Sequence, residues 1–223
     1  MAIIVSLVAM LMMSALGAAL VLTTSSEAIV AGNFRNAREG LYTADAAADV
    51  AMIQLGALPD WNAILQGAGQ SAFVDGPPAG VRTLADGSPL DLDRALNMLN
   101  CRKVTPCSAS ELTASTAQRP WGANNPVWRL FAYGPFSSLL PSHGIDSVYY
   151  VIVLVADDPS ENDGDPLRDG DDETNAGSGV LAMRAEAFGP RGTHQVIEST
   201  VARRFPAAGP PGVRLLSWRQ ITR

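Results

Sequence analysis

The N-terminal segment MAIIVSLVAMLMMSALGAALVL, residues 1–22, most strongly limits what this chain can fold into. It contains no charged residue and no proline, and the first charged side chain is Glu27. As an α-helix it spans roughly 33 Å, which matches the hydrocarbon core of a bilayer. A secretory signal has a basic start and a shorter apolar run, so we predict a membrane-spanning helix. Because no Lys or Arg precedes it, we expect that a basic leader has been removed and that Met1 is a mature N-terminus.

The residues that follow continue this helix in amphipathic form. Apolar and small residues recur at helical spacing, and no proline occurs before Pro59. We therefore predict one helix of about 55 residues, ended by GALPD at 56–60 and weakened at Gly17 and at TTSS, 23–26. Its apolar stripe consists of Phe34, Ala37, Leu41, Ala44, Ala48, Met52 and Leu55.

Most of the negative charge lies in one segment. The chain has a net charge of −6, and residues 157–173 hold nine acids and one base, so the rest of the chain is slightly basic. Proteins that bind nucleic acids present basic patches to the phosphates, so we do not expect a nucleic-acid partner.

The two cysteines lie close together in CRKVTPC, at Cys101 and Cys107. A metal site needs more ligands, and the two histidines, His143 and His194, are far away in sequence. In an exported domain this pair is typical of a disulfide that closes a small loop; two free thiols are the alternative. We expect the bridge to lie between two short helices, at 89–99 and at 108–115, the second with a capping box of Ser108 and Glu111.

The C-terminal half shows strand patterns, so we predict an α+β fold in which the long helix packs on an antiparallel sheet. The expected strands are 127–133, 148–156, 180–188, 195–203 and 213–222, with 148–156 central because it is the most apolar. We predict four segments. Residues 1–26 form a membrane or filament-core helix, and residues 27–56 are the amphipathic half of the same helix. Residues 57–126 form an irregular region with the disulfide, and residues 127–223 form the sheet, with an acidic loop at 157–179.

No motif of an enzyme is present. G-x-S-x-G, H-E-x-x-H, P-loop and C-x-x-C patterns are all missing, so we do not expect catalysis. The histidines are interpreted as surface residues, and Glu186 and Glu198 as solvated neighbours on a hairpin. The strand aromatics Trp128, Phe131, Tyr133, Tyr149 and Tyr150 are expected in the core and on the sheet faces.

The acidic loop has the composition of a calcium site. Calcium takes 6–8 oxygen ligands, and Gly164 and Gly170 would allow tight bends between them. The spacing is not that of an EF-hand, and a disordered, self-repelling loop is the alternative. The predicted ligands are Asp163, Asp165, Asp169 and Asp171, with Asp158, Glu161, Asn162 and Glu173 in reserve.

The stretch IVAGNFRNAREGLYTADAAADVAM, residues 29–52, resembles the N-terminal segment of PilX-like minor pilins, within the type IV pilin and pseudopilin superfamily. An Ala-Gly-Asn-x-Arg element is followed there by an A-[ED]-A-A element. The matching residues here are Ala31, Gly32, Asn33 and Arg35, then Ala44, Asp45, Ala46 and Ala47. The resemblance covers about the first 55 residues, and the C-terminal half matches only in its α+β layout.

The resemblance implies a structural subunit of a type IV pilus or a type II secretion-type filament. Such a subunit is inserted in the inner membrane, cleaved by a prepilin peptidase and assembled with other pilin-like subunits into a cell-surface filament. The N-terminal helices form the filament core, and small residues such as Ala9, Gly17 and Ala18 would allow them to approach closely. Several pseudopilins also hold calcium beside their sheet, which favours the ion predicted above.

One departure from the family is Val5, where most pilins have a glutamate that is thought to pair with a neighbour's N-terminal amine. The family expectation for a subunit that lacks this acid is a place at the filament tip. A filament-forming subunit that does without the acid stays open. The alternative function is a signal-anchored envelope protein with an extracytoplasmic ligand-binding domain, in which the same helix is a plain anchor.

Overall fold

The proline-free N-terminal quarter of the chain forms one helix, α1, from Ala2 to Ala57 in a computed structural model. The structure describes residues 1–139, 146–161, 163–170, 177–204 and 212–222. The helix ends two residues before Pro59, close to the predicted end, because proline disfavours a helical conformation of the preceding residue. The indole N–H of Trp61 donates to the carbonyl of Leu55 at 3.1 Å and satisfies one of the acceptors that the helix end leaves open.

The chain divides into two compact units, Met1–Arg38 and Glu39–Arg223. In the first unit every residue from 1 to 31 is exposed, and the helix is long and apolar enough to span a membrane. The hydroxyls of Thr23 and Thr24 donate to the carbonyls of Ala19 and Leu20 in the preceding turn. These bonds satisfy the polar groups within the helix, as an apolar environment requires.

The second unit contains a five-stranded antiparallel sheet whose spatial order equals the chain order. This confirms the predicted α+β class. Each strand pairs with the strand that follows it in the chain, and a register shift occurs between residues 129–135 and 150–157 and between 194–204 and 212–221. The strands are β3 (Arg129–Pro135), β4 (Tyr150–Asp157), β5 (Val180–Phe188), β6 (His194–Arg204) and β7 (Gly212–Ile221).

One face of the sheet packs on the C-terminal part of α1. Small residues make the approach close: a Cβ added at Gly40 would lie 3.1 Å from side-chain atoms of both Tyr149 and Gln195. The predicted stripe packs on the core from Leu41 onward, with Leu41 and Met52 partly buried, whereas Phe34 in the first unit is exposed. The helix contributes Ala44, Ala47, Ala48, Ala51 and Leu55 to the core, and Val151, Val153, Val155, Met183 and Ile197 are among the strand residues that meet them.

The β3 and β4 part of the other face is covered by residues 84–99, which belong to the region between α1 and β3. This region contains α2 (Asn62–Leu65), a small hairpin of β1 (Val81–Thr83) and β2 (Pro89–Asp91), α3 (Leu92–Cys101) and α4 (Ala109–Leu112). The predicted helix at 89–99 thus begins three residues later, because Pro89–Asp91 pairs with β1 and Asp91 caps the helix. The disulfide between Cys101 and Cys107 is present, and so is the capping box of Ser108 and Glu111.

Charged side chains on this second face form a ladder across three strands. Arg184 binds both Glu186 and Glu198, His194 binds Glu186 at 2.7 Å, and Arg219 binds Glu198. The prediction that Glu186 is solvated is wrong: the residue is only 6% exposed. Its burial is tolerated because Arg184 and His194 supply the hydrogen bonds and charge that a buried carboxylate needs.

Candidate metal centre

Three carboxyl groups converge where strand β4 ends. One carboxylate oxygen from each of Asp157, Glu161 and Asp169 lies within 4.8 Å of the other two. Two oxygens bound to one calcium ion, each at about 2.3–2.6 Å, can be no more than about 5 Å apart, so this spacing fits a shared cation. The three residues are 4%, 1% and 8% exposed, which distinguishes them from an ordinary solvated acidic surface. We call this group the acidic triad.

Each member of the triad is fixed by local backbone structure. Asp157 is the last residue of β4 and lies opposite Leu181 in β5. Glu161 closes a turn in which its N–H donates to the carbonyl of Asp158 at 3.1 Å. Gly177 adopts φ +106°, and a Cβ there would lie 2.9 Å from the Glu161 nitrogen, so only glycine allows this approach.

Asp169 connects the triad to both flanking segments. Its N–H donates to the side-chain oxygen of Asn62 at 2.7 Å, and its Oδ1 accepts from the N–H of Gly179, just before β5, at 2.6 Å. The guanidinium of Arg203 in β6 lies 3.8 Å from Asp169 Oδ2 and stacks on the ring of Trp61. The centre thereby joins the acidic loop to β5, to β6 and to the turn after α1.

The electrostatics of the triad are unfavourable when no cation is bound. Burial, followed by repulsion from Glu161 and Asp169, raises the pKa of Asp157 to about 8. Burial and the nearby charges of Asp163 and Asp169 raise the pKa of Glu161 to about 7. Three ionised carboxylates beside one guanidinium carry a net charge of −2, which one divalent cation would neutralise.

An orphaned oxygen points to the same chemistry. Asp157 Oδ1 is buried and has no hydrogen-bond partner within the described ranges. A buried carboxylate oxygen without a donor is costly, and a metal ion is one of the few groups that can complete it. The donors are all oxygens, with no Cys or His among them, which favours a hard cation such as Ca²⁺ over Zn²⁺.

The predicted ligands divide into three groups. Asp169 and Glu161 belong to the triad. Asp158, Asp163 and Asp165 do not: their side chains accept from N–H groups two residues further on, as in Asx turns. Asn162, Asp171 and Glu173 lie outside the described residues. Whether this centre holds calcium stays a prediction.

Sequence reasoning missed two residues of the centre. Asp157 directly follows an apolar run that was predicted to end at Ala156, so it was read as part of the loop. Arg203 is one of two adjacent arginines at the end of β6, and only the fold brings its guanidinium to Asp169. The sequence signal for Asp157 was its position, because it is a charged residue at the very end of a buried strand.

A cleft of about 490 Å³ borders the triad on the side of Asp169. Its wall includes Asn62, Arg203 and Arg214, so it is polar and accessible to ions and water. Calcium needs more than three oxygens, and water from this cleft would complete the coordination shell.

Comparison of the chain with protein-family models, with curated proteins and with solved structures finds no match.

Proposed function

We propose that this protein is a pilin-like structural subunit of a type IV pilus or a type II secretion-type filament. One observation carries the proposal: a single 56-residue helix is fully exposed and apolar over its first half and packs on an antiparallel sheet over its second. A soluble domain gains nothing from such an exposed apolar helix, which needs lipid or other helices around it.

The composition of the exposed helix suits both the lipid bilayer and the packed helices of a filament core. Leucine, isoleucine, valine and methionine suit the lipid before assembly, while Ala9, Gly17 and Ala18 would let neighbouring helices approach in a filament. A Cβ at Gly17 would meet nothing within 4 Å among the residues that the structure describes, so the proposal places a neighbouring helix there. On this proposal the subunit is inserted in the inner membrane, processed by a prepilin peptidase, and polymerised with other pilin-like subunits at the cell surface.

We further propose a structural calcium ion at the acidic triad, held by Asp157, Glu161 and Asp169. The ion would neutralise the buried carboxylates and join the ends of β4 and β5 to the acidic loop. Calcium is plentiful outside cells, so an affinity of about 10⁻⁴–10⁻³ M would suffice at the surface. Its role would be mechanical, because the ion would keep this end of the sheet rigid while the subunit is pulled out of the membrane.

One substitution distinguishes a helix that packs in a filament core from a helix that only anchors the protein in the membrane. Gly17→Leu increases the hydrophobicity of the segment, so a membrane anchor tolerates it, but it fills the space that packed helices need. We expect Gly17→Leu to insert in the membrane normally, as judged by carbonate extraction, and to abolish filaments in negative-stain images of sheared cell material. Leu20→Ile, which preserves side-chain volume, is the matched control. If wild-type cells form no filament or tip complex that contains this chain, it is an anchored envelope protein instead.

A further inference from the structure

The two edges of the sheet differ in how they are covered. At the β3 edge, the segment of residues 71–75 runs alongside the strand and makes three backbone hydrogen bonds with Phe131 and Tyr133. At the other edge, β7 pairs only with β6 within the described residues. An antiparallel edge strand of ten residues leaves about half of its backbone N–H and C=O groups pointing outward. The β7 edge can therefore accept another strand.

Large apolar side chains are exposed along this edge. Leu215 and Leu216 are each 47% exposed and Trp218 is 46% exposed; all three lie in β7, where Leu216 is the extra residue at the register shift. Exposed hydrophobic residues that are scattered singly are normal, but a run of three beside open backbone groups marks an interaction surface.

The side chains of β7 separate by chemistry onto the two faces of the sheet. Trp218 reaches Asp45 on the α1 side. Arg219 binds Glu198 on the opposite face. Arg214 lies opposite Ala202, which alternates onto the same face as Glu198, so both arginines of β7 share that face. A strand added to β7 would meet the apolar side chains of Leu215 and Trp218 on the α1 face and the two positive charges on the other.

This charge arrangement selects against a second copy of the same strand. Two antiparallel β7 strands would place arginines near arginines on one face, which is destabilising. The bulge at Thr200 and Val201 also twists the edge away from a flat self-pairing. Arg219 keeps 71% of its side chain exposed despite its ion pair, and Arg214 is exposed as well, so both can reach an acidic neighbour.

We propose that the β7 edge binds an extended segment of another protein by β-strand addition, and that this segment alternates apolar residues with Asp or Glu. Backbone hydrogen bonds between the segment and β7 would supply affinity. The side chains on the two faces of β7 would select the alternating residue pattern of the segment and the register in which it pairs. The inference does not depend on the filament proposal, because the edge is present in a single chain.

The test uses the full chain in detergent and a fluorescent decapeptide of alternating Val and Glu. We expect anisotropy to show binding that is at least about tenfold tighter than that of an alternating Val–Lys decapeptide. A Val–Glu peptide N-methylated at every residue keeps the side chains but has no N–H to donate on either edge, and should bind at least about tenfold more weakly. Amide hydrogen exchange should slow in β7 when the unmodified peptide binds.

A charge-reversed variant with Arg214→Glu and Arg219→Glu should prefer the Val–Lys peptide. The N-methylated peptide needs no variant, so the proposal can be tested even if this variant does not fold. Equal binding of the acidic and basic peptides, or protection that excludes β7, would overturn the proposal. So would concentration-dependent dimers that protect β7, since the occupant would then be a second copy.

Discussion

The indole N–H of Trp218, in the edge strand β7, donates to the carboxylate of Asp45 in α1 at 2.9 Å. Asp45 belongs to the alanine-rich element Ala44–Ala47 of the helix. In this fold the acid therefore connects the helix to the last strand of the sheet, 173 residues away in sequence. Its role within the single chain is structural.

Removing this hydrogen bond should weaken the attachment of β7. Trp218→Phe keeps an aromatic ring but lacks the donor, so we expect the free energy of unfolding to fall by about 0.5–1.5 kcal/mol. Asp45→Asn removes only the charge and should cost less. Thermal unfolding of the full chain in detergent measures both. A double variant whose loss equals the sum of the single losses would show that the two side chains are not coupled.

The buried carboxylate of Glu186 predicts a loss of stability in acid. Burial alone would raise its pKa, but the hydrogen bond from His194 and the charge of Arg184 outweigh it and lower the pKa to about 2. Because the folded-state pKa lies below the ordinary value of 4.5, the ionised group stabilises the fold above pH 4.5. This contribution is lost as the pH falls from about 4.5 towards 2.

The comparison of wild type with Glu186→Gln isolates that contribution. The variant should lose stability at neutral pH, on the order of 2 kcal/mol, and should lose less than wild type between about pH 5 and pH 2. Glu198→Gln, in the more exposed part of the ladder, is the control and should have a smaller effect. Parallel pH profiles for wild type and Glu186→Gln would show that the fold does not lower the pKa of Glu186.

The sequence predicted the helix and the strands well because their signals are local. The lack of proline, the helical spacing and the β-branched runs act within each segment. The burial of α1 was less predictable: the stripe through Phe34 is periodic, but burial begins only at Gly40. Periodicity identifies an apolar face and does not reveal what covers it.

The candidate metal centre could be predicted only in part. Composition identified the acidic loop, and Asp169 and Glu161 were among the named residues. Asp157 was missed because the triad depends on the register of β4 with β5 and on the contact of Asp169 with Asn62. The burial of Glu186 was missed for the same reason, since its partner His194 lies on another strand.

The disulfide should stabilise one region rather than the whole fold. It joins the end of α3 to the residue before the cap of α4 and closes a short loop, because Cys101 and Cys107 are separated by six positions in sequence. The chain-entropy estimate for such a loop is about 2 kcal/mol. We expect the double variant Cys101→Ser and Cys107→Ser to increase hydrogen exchange in α3 and α4 and to leave the sheet protected. Loss of protection throughout β3–β6 would contradict this.

A substitution at Val5 tests whether the subunit lies at the tip of the filament. If Val5 lies among apolar helices with no amine to pair with, Val5→Glu buries an unpaired carboxylate at a cost of several kcal/mol. Filament yield, or the recovery of tip complexes, should then fall, while Val5→Leu should assemble as wild type does. Normal or improved assembly of Val5→Glu would favour an ordinary position within the filament, where a neighbour's amine is available.

Calcium should stabilise the full chain through the acidic triad. With a dissociation constant of about 10⁻⁴ M, calcium at about 1 mM should add roughly 1.4 kcal/mol, which for a domain of this size corresponds to a rise in Tm of about 3–5 °C over the value in chelator. Asp157→Asn removes one buried charge and one ligand. The variant should therefore be more stable than wild type in chelator and should respond little to calcium. Asp165→Asn, in the same loop but outside the triad, is the matched control and should keep the full response.

Scanning calorimetry in detergent measures the Tm of all three chains with calcium, with magnesium and with chelator. A Tm of wild type that does not change at millimolar calcium would reject the ion, and equal loss of the response in both variants would place it elsewhere in the acidic loop.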